Sequence, residues 1–294
     1  MILDHLEKAE VIQPPSWLVR NTIYLTRMGS ECYGTQLEAS DVDLYGICVP
    51  RKDIVFPHLA GYIEGFSTNI PHFDQWLQHH ITDPDGKEKT YDIQVFNIVK
   101  YFSLLMMNNP NVLDSIFVPL NCITHITHAG NLIRENRKMF LHKGSWHKFK
   151  GYSYSQLNKA SSGNRTGKRK EVFDKYGYDV KFLMHTVRLL YEAEMILSEH
   201  DIDLQRHKEH LKAIRRAEVP EEEVRKWVAE KEKFLEKLYE ESTLPWGPNE
   251  EKIKKLLLEC LEHHYGSLKE AISNPDEYKI LLKEIKEKCE KAGI

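Results

Sequence analysis

The chain has 294 residues, of which 41% are hydrophobic and 29% charged, and its formal net charge is −3. This hydrophobic content can fill packed cores and excludes wholesale disorder, and the length favours about two domains. No apolar run approaches the ~18 residues of a membrane span, and the N-terminus lacks the features of a secretory signal. Five widely spaced cysteines without a C-x-x-C pair speak against a disulfide framework and a zinc knuckle. We therefore expect a cytoplasmic protein.

Positive charge is concentrated between residues 143 and 188. This segment contains 11 Lys and Arg residues against three Asp and Glu residues, so it carries a charge of +8 and the rest of the chain −11. Such asymmetry is typical of a site for a polyanion, either nucleotide phosphates or a nucleic-acid backbone. A solvated helix face is the alternative interpretation.

The first part of the chain predicts a small sheet. Residues 22–26 are β-branched and aromatic and residues 42–49 alternate in polarity, which favours two strands in a βαβ-like entry. Pro and Gly residues between 50 and 86 indicate an irregular insertion. Residues 91–96 predict a third strand, and the apolar periodicity that follows, up to Pro110, predicts a covering helix.

Beyond about residue 120 the periodicity becomes helical. The predicted helices span about 124–140, 145–161, 178–199, 207–217, 221–241, 249–264 and 276–291. Gly, Ser and charged residues at 161–170 predict a mobile loop. We therefore expect an α+β fold, with a small mixed sheet and flanking helices in residues 1–120 and an all-helical domain in residues 121–294.

One Gly-Ser pair follows the first predicted strand. Gly29 and Ser30 could open a short helix, whose backbone N–H groups, with the Ser30 hydroxyl, would face an incoming phosphate. The absence of a side chain on Gly29 would allow the phosphate to come close.

Two carboxylates stand two residues apart at the start of the second predicted strand. Asp41 and Asp43 share one face of that strand, because side chains alternate along a strand. Hard oxygen ligands in such a pair suit Mg²⁺. Asp92, on the third predicted strand, is the candidate third carboxylate of a two-metal site. The alternatives are a turn or cap role for Asp41 and an ordinary exposed position for Asp92.

These motifs, in their order, resemble the nucleotidyltransferase superfamily of DNA polymerase β and, within it, the RNA repair pathway DNA polymerase beta family (RlaP). The resemblance covers residues 20 to 265. It is carried by Gly29-Ser30 with Tyr33-Gly34, by residues 40–46 (Ser-Asp-Val-Asp-Leu-Tyr-Gly), by residues 108–113 (Asn-Asn-Pro-Asn-Val-Leu), and by residues 177–182 (Gly-Tyr-Asp-Val-Lys-Phe) continuing to His185 and Arg188.

The resemblance implies transfer of a nucleoside monophosphate from an NTP to an acceptor hydroxyl, most naturally the 3′ end of a tRNA-like RNA, with release of pyrophosphate. Gly29 and Ser30 would hold the triphosphate, and Asp41, Asp43 and Asp92 would bind two Mg²⁺ or Mn²⁺ ions. It also implies a catalytic domain in the first 120 residues and a helical nucleotide- or RNA-binding domain after it. The chain departs from the family at Asp114, where a Glu is usual, and the role of Asp114 is left open.

A polar stripe is predicted on the helix that follows Asp179. Lys181, His185 and Arg188 have i, i+4 and i+7 spacing, which places them on one face. They are the candidate ligands of the triphosphate or of an RNA phosphate, and a pairing of Arg188 with Glu192 is the structural alternative.

Further basic residues are candidate nucleotide or RNA contacts. They are Lys159 and the loop residues Arg165, Lys168, Arg169 and Lys170. The glycines of that loop lack the spacing of a phosphate-binding P-loop, so an ATPase of that type is not indicated. The histidine pairs His79-His80 and His263-His264, and His125 with His128, have no third ligand nearby, and we expect no zinc site.

Two other functions stay open at this point. The same catalytic core could nucleotidylate a protein side chain or a small hydroxyl compound, and the chain could be a catalytically silent nucleotide- or RNA-binding module. The three candidate carboxylates favour an enzyme, because a binding module has no need of a paired-metal cluster.

Overall fold

The sheet has five strands in the order β3-β4-β2-β1-β5. The computed structural model describes residues 1–36, 41–60, 72–86, 89–161 and 168–266, with isolated positions between 282 and 289. The strands are β1 Thr22–Arg27, β2 Val42–Cys48, β3 Gln75–Thr82, β4 Thr90–Asn97 and β5 Ile123–Ile126. The pair β2–β4 is parallel and the other three pairs are antiparallel, so the sheet is mixed.

Each face of the sheet packs on its own hydrophobic core. Leu25, Leu44 and Ile93 point to a smaller core that also contains Leu3 and Leu6 from the N-terminal helix. Residues on the other face, such as Tyr24, Ile47 and Phe96, point to a larger core shared with the helices. This division follows from the alternation of side chains along strands that are covered on both faces.

Four of the described helices precede the last strand of the sheet in the chain, and the other seven follow it. They are α1 Ile2–Lys8, α2 Lys52–Val55, α3 Ile98–Met106, α4 Pro110–Phe117, α5 His128–Glu135, α6 Ser145–Ser161, α7 Lys168–Tyr176, α8 Val180–Glu199, α9 Lys208–Arg215, α10 Glu221–Glu241 and α11 Glu250–Tyr265. Short 3-10 turns lie at Pro57–Ala60, Leu120–Cys122 and Arg137–Phe140. None of the described helices is long and apolar enough to cross a bilayer.

Helix α8 is the centre of the helical half. It packs along α6 and also contacts α9 and α10, and it is buried on most of its circumference. Its N-terminus is fixed by Asp179, whose carboxylate accepts hydrogen bonds from the backbone N–H groups of Lys181 and Phe182. This cap satisfies two of the N–H groups that lack a partner in the first turn of a helix.

Much of the sequence prediction is confirmed. The α+β class, the strands β1, β2 and β4, the covering helix α3 and the long helices α6, α8, α10 and α11 are found where they were expected. The segment 276–291 lies largely outside the described residues. The boundary at residue 120 stays a prediction, and β5, from residues 123–126, pairs with β1 in the sheet.

Five local expectations are wrong. β1 and β2 are antiparallel neighbours rather than parts of a βαβ unit, and Gly29-Ser30 begins a turn instead of a helix. The irregular insertion contains strand β3, and the helix expected from residue 124 begins as strand β5. These two strands are short or broken by a bulge, so periodicity alone did not reveal them. Helix α7 also begins inside the predicted loop 161–170, at Lys168.

Candidate active site

Three carboxylates lie at one edge of the sheet, on neighbouring strands. Asp43 of β2 and Asp92 of β4 are directly paired in the parallel register, and Asp41 immediately precedes β2. The Thr90 hydroxyl donates a 2.5 Å hydrogen bond to Asp41 Oδ1. All three line one cleft of about 1050 Å³. We call them the cleft carboxylates.

The electrostatics of this edge act mainly on Asp43. Burial raises the pKa of its carboxyl group, and the neighbouring Asp92 and Asp41 raise it further, while Lys181 and His79 act in the opposite direction. These are the two effects that make ionisation costly, removal from water and like charge nearby. A cation bound between the carboxylates would relieve both.

Asp92 is held by the bulged end of β3. The backbone N–H of His80 donates to Asp92 Oδ1 at 2.8 Å, and His79 Nδ1 lies 3.4 Å from the same oxygen. His80 has a φ of 54°, at the point where the β3–β4 register shifts. The sequence identified these histidines only as poor zinc ligands and missed their contact with Asp92, because the strand that carries them was not predicted.

Gly29 lies against Asp43. Its φ is +64°, and a Cβ built on it would lie 1.9 Å from Asp43 Oδ2. The backbone N–H of Met28 also donates to the carbonyl of Asp43 at 2.7 Å. Glycine is therefore required here by the carboxylate as well as by the left-handed backbone. Gly29 and Ser30 both line the cleft, and their role in holding a phosphate stays a prediction.

The predicted polar stripe of α8 faces the same cleft. Lys181, His185 and Arg188 all belong to its lining. Lys181 is exposed and its charge acts on Asp43, whereas Arg188 is only 5% exposed. Lys159 is an exposed residue near the end of α6 and is not among the described residues that line the cleft.

Arg188 belongs to a buried cluster of four residues. Its Nη1 donates to Asp114 Oδ2 and, at 2.9 Å, to Glu192 Oε1. The Tyr33 hydroxyl donates to Asp114 Oδ2 at 2.6 Å, and the guanidinium lies over the Tyr33 ring, 4.2 Å from its centroid. We call Tyr33, Asp114, Arg188 and Glu192 the buried cluster.

The structure places Asp114, whose role the sequence left open, in the buried cluster. Asp114 is fully buried beneath the cleft and ion-paired with Arg188, and the expected alternative pairing of Arg188 with Glu192 is also present. Burial raises the pKa of Asp114 and of Glu192, while Arg188 lowers both. Arg188 thus already has two carboxylate partners, and its role as a phosphate ligand stays a prediction.

The described part of the basic segment 143–188 does not form one continuous basic surface. Lys143 is buried, donates to the Glu240 carbonyl and lies over the Trp246 ring. Lys150 is paired with Glu236 on α10. Arg165 lies outside the described residues, as do the side chains of Lys168 and Arg169, and Lys170 is exposed at the start of α7.

Several residues that line the cleft were not assigned to the site from the sequence. Among them are Thr35, His80, Asn111, Arg215 and Arg216. The two arginines come from the end of α9, almost 190 residues after Gly29, and no pattern in the sequence indicates that this helix packs beside the Gly29 turn. Asn111 is part of a motif that supported the resemblance, but the motif gave it no role.

The cleft carboxylates suit a divalent cation by their chemistry. Within the described part of the chain, no three His, Cys, Asp or Glu side chains are grouped closely enough to hold one ion. The available donors are nevertheless carboxylate oxygens on adjacent strands, open to a cleft, with a raised pKa at Asp43 that a cation would reverse. Oxygen donors of this kind are those that Mg²⁺ and Mn²⁺ prefer.

The family that matches this sequence identifies the chain as a nucleotidyltransferase. The chain belongs to the RNA repair pathway DNA polymerase beta family (RlaP), which matches residues 2–271. This confirms the resemblance found in the sequence.

The comparison with curated proteins finds no match. Among solved structures, a nucleotidyltransferase-like protein from Exiguobacterium sibiricum 255-15 is similar at 13% identity and a TM-score of 0.29. That similarity covers 91% of this chain and 74% of the other.

Proposed function

We propose that this nucleotidyltransferase transfers a nucleoside monophosphate from an NTP to the 3′ hydroxyl of an RNA, with release of pyrophosphate. One observation carries the proposal: the three cleft carboxylates share a single cleft with the Gly29-Ser30 turn and the polar stripe of α8. Carboxylates on one wall and phosphate-binding groups beside them are what phosphoryl transfer requires.

The roles of the residues follow from their positions. Asp41, Asp43 and Asp92 would hold Mg²⁺ or Mn²⁺, and bound ions of this kind lower the pKa of an attacking hydroxyl and neutralise charge on the transferred phosphoryl group. The Gly29-Ser30 turn would receive the triphosphate through its backbone N–H groups and the Ser30 hydroxyl. Lys181 would balance negative charge on the substrate near Asp43.

An RNA acceptor is favoured by the exposed cations near the cleft. Lys159, Lys170 and Lys175 are exposed on α6 and α7, and α7 contributes Val172 and Tyr176 to the cleft lining. Attraction between such lysines and phosphates does not depend on base sequence and weakens with salt. Neutralising Lys168, Arg169 and Lys170 together should weaken RNA binding and reduce its salt dependence, which a titration at several salt concentrations measures.

The decisive experiment is a transfer assay with each labelled NTP and Mg²⁺ or Mn²⁺. The acceptors are tRNA with intact and with truncated 3′ ends, a protein mixture, and none. Label on RNA that disappears in the Asp41→Ala/Asp43→Ala double variant supports the proposal. Label on protein would replace RNA by a protein hydroxyl as acceptor, and binding of NTP without any transfer would contradict the proposal.

A further inference from the structure

Helix α9 reaches the cleft beside the turn that begins with Gly29 and Ser30. Arg215 Nη1 donates a 2.7 Å hydrogen bond to the Thr35 carbonyl, and the Thr35 N–H donates a 2.8 Å hydrogen bond to the Ser30 carbonyl. Gln205 Nε2 donates to the Cys32 carbonyl at 3.2 Å in the same turn. The end of α9 is thereby placed next to Ser30.

The charge of Arg215 has no carboxylate partner among the residues described. Its side chain is half-buried, and burial alone lowers the pKa of its guanidinium, with no compensating negative group. Arg188, on the same cleft, is by contrast paired with both Asp114 and Glu192. A partly buried cation that lacks a counter-charge is costly unless an anion binds to it.

Arg216 adds a second positive charge at the same place. It also lines the cleft, its side chain is 54% exposed, and its contact with Glu218 is long, at 3.8 Å. A guanidinium carries five N–H donors that match phosphate oxygens in a forked arrangement. Since one nitrogen of Arg215 contacts Thr35, its other N–H groups can still serve a phosphate.

We infer that Arg215 binds a terminal phosphate of the NTP beside Ser30, and that it makes the cleft select nucleoside triphosphates over monophosphates. The inference rests on the proposed function, since it takes the triphosphate to lie at the Gly29-Ser30 turn. It replaces Arg188 by Arg215 as the principal guanidinium ligand of the nucleotide, because Arg188 is paired with two carboxylates and Arg215 with none of those that the structure describes.

The test is a calorimetric measurement of the affinities of NTP and NMP of the same base, with Mg²⁺ and no acceptor. All four bases are tried with the wild-type chain, and the tightest is used for Arg215→Met and Arg215→Lys. The matched control is Arg206→Met, which removes an exposed arginine paired with Glu199 outside the cleft. Far-UV circular dichroism establishes that each variant is folded.

Arg215→Met is expected to bind NTP about 10- to 100-fold more weakly, because a charge-assisted hydrogen bond is lost, and to bind NMP as the wild type does. Arg215→Lys should lose less, because it keeps the charge but not the fork. If Arg215→Met does not fold, the ratio of NTP to NMP affinity in Arg215→Lys tests the inference instead. Arg206→Met should match the wild type.

Two results would overturn the inference. Equal weakening of NTP and NMP binding would assign Arg215 a structural role through Thr35, and unchanged NTP affinity would remove it from the nucleotide site. In both cases the wild type still binds NTP, so the proposed function survives, whereas a wild type that binds no NTP would end both.

Discussion

The molecule contains two groups of acidic residues only a few side chains apart, and they are treated in opposite ways. The buried cluster pairs Asp114 and Glu192 with Arg188, and Tyr33 adds a hydrogen bond. The cleft carboxylates face one another across β2 and β4 with no guanidinium paired to them in the described part of the chain. The protein itself neutralises most of the charge of the buried cluster, and we propose that bound cations neutralise the cleft carboxylates.

The presence or absence of a paired cation distinguishes structural carboxylates from candidate ligand-binding ones more clearly than residue type does. Both groups contain carboxylates with a raised pKa, Asp43 in the cleft and Asp114 and Glu192 in the buried cluster, and both groups adjoin the same cleft. An internal partner makes a buried carboxylate part of the scaffold, whereas a missing partner leaves its charge available for ligand binding. The same contrast holds for cations, between Arg188 and Arg215.

The largest effect on activity is expected when one of the cleft carboxylates loses its charge. Asp43→Asn should lower the rate of transfer at least about 100-fold, because the amide keeps the shape of the side chain but no longer attracts a cation. Even the mutation of residues that only hydrogen-bond to metal ligands lowers metal affinity or activity about 10- to 100-fold. The measurement is initial rate in the transfer assay. Asp74→Asn, an exposed aspartate next to β3, is the matched control and should keep wild-type activity.

Replacing Arg188 tests whether the buried cluster stabilises the fold. Arg188→Met should lower the free energy of unfolding by about 3–5 kcal/mol, because Asp114 and Glu192 then remain buried without a counter-charge. Urea unfolding measures this. The triple variant Arg188→Met/Asp114→Asn/Glu192→Gln should recover part of the loss. Wild-type stability in Arg188→Met would contradict the assignment of Arg188 to the scaffold.

A smaller effect is expected at Tyr33. Tyr33→Phe removes the hydroxyl that donates to Asp114 Oδ2 and keeps the ring under Arg188. The free energy of unfolding should fall by about 1–3 kcal/mol, because a buried charged group then lacks one hydrogen-bond partner. Urea unfolding of the Tyr33→Phe variant measures it. A loss as large as that of Arg188→Met would mean that the hydroxyl, and not the guanidinium, holds the cluster together.

The smallest expected effect is the contribution of Asp43 to the pH dependence of stability. The pKa of Asp43 is raised in the folded chain, so the folded state binds more protons than the unfolded state between the ordinary pKa and the raised one. Stability from this group therefore falls as pH rises through that window. In metal-free buffer at pH 7, Asp43→Asn should be more stable than the wild type, and the difference should vanish at low pH.

Thermal unfolding at several pH values, with and without Mg²⁺, checks this expectation. Added Mg²⁺ should stabilise the wild type and leave Asp43→Asn unchanged, because binding to the folded state alone raises stability. A wild type that is more stable than Asp43→Asn in metal-free buffer at pH 7 would show that the cleft carboxylates are already compensated.

The sequence predicted the parts of the site that lie within single elements. Asp41 and Asp43 could be placed on one strand face by its period of two, and Lys181, His185 and Arg188 on one helix face by theirs. All of them line the cleft. Local periodicity is enough for such groups, because the element itself fixes their relative positions.

Groups that depend on contacts between distant segments could not be predicted. Tyr33 and Asp114 are 81 residues apart, and Thr35 and Arg215 are 180 apart. The spacing of charges also could not show that Arg188 is paired with Asp114 while Arg215 contacts no carboxylate within the described ranges, since both resemble surface arginines of a helix. Burial and tertiary partners decide between these roles, and neither is encoded in a local pattern.

The pairing of Asp43 with Asp92 has a consequence for how the chain can change. Their separation is inherited from the backbone hydrogen bonds between β2 and β4, which run in unbroken register from Val42 and Tyr91 to Cys48 and Asn97. Neighbouring strands keep a spacing of about 4.8 Å whatever connects them. The segment between β2 and β3 can therefore be lengthened or shortened without altering the distance between the two carboxylates, whereas a one-residue slip of β2 or β4 would turn one carboxylate to the opposite face.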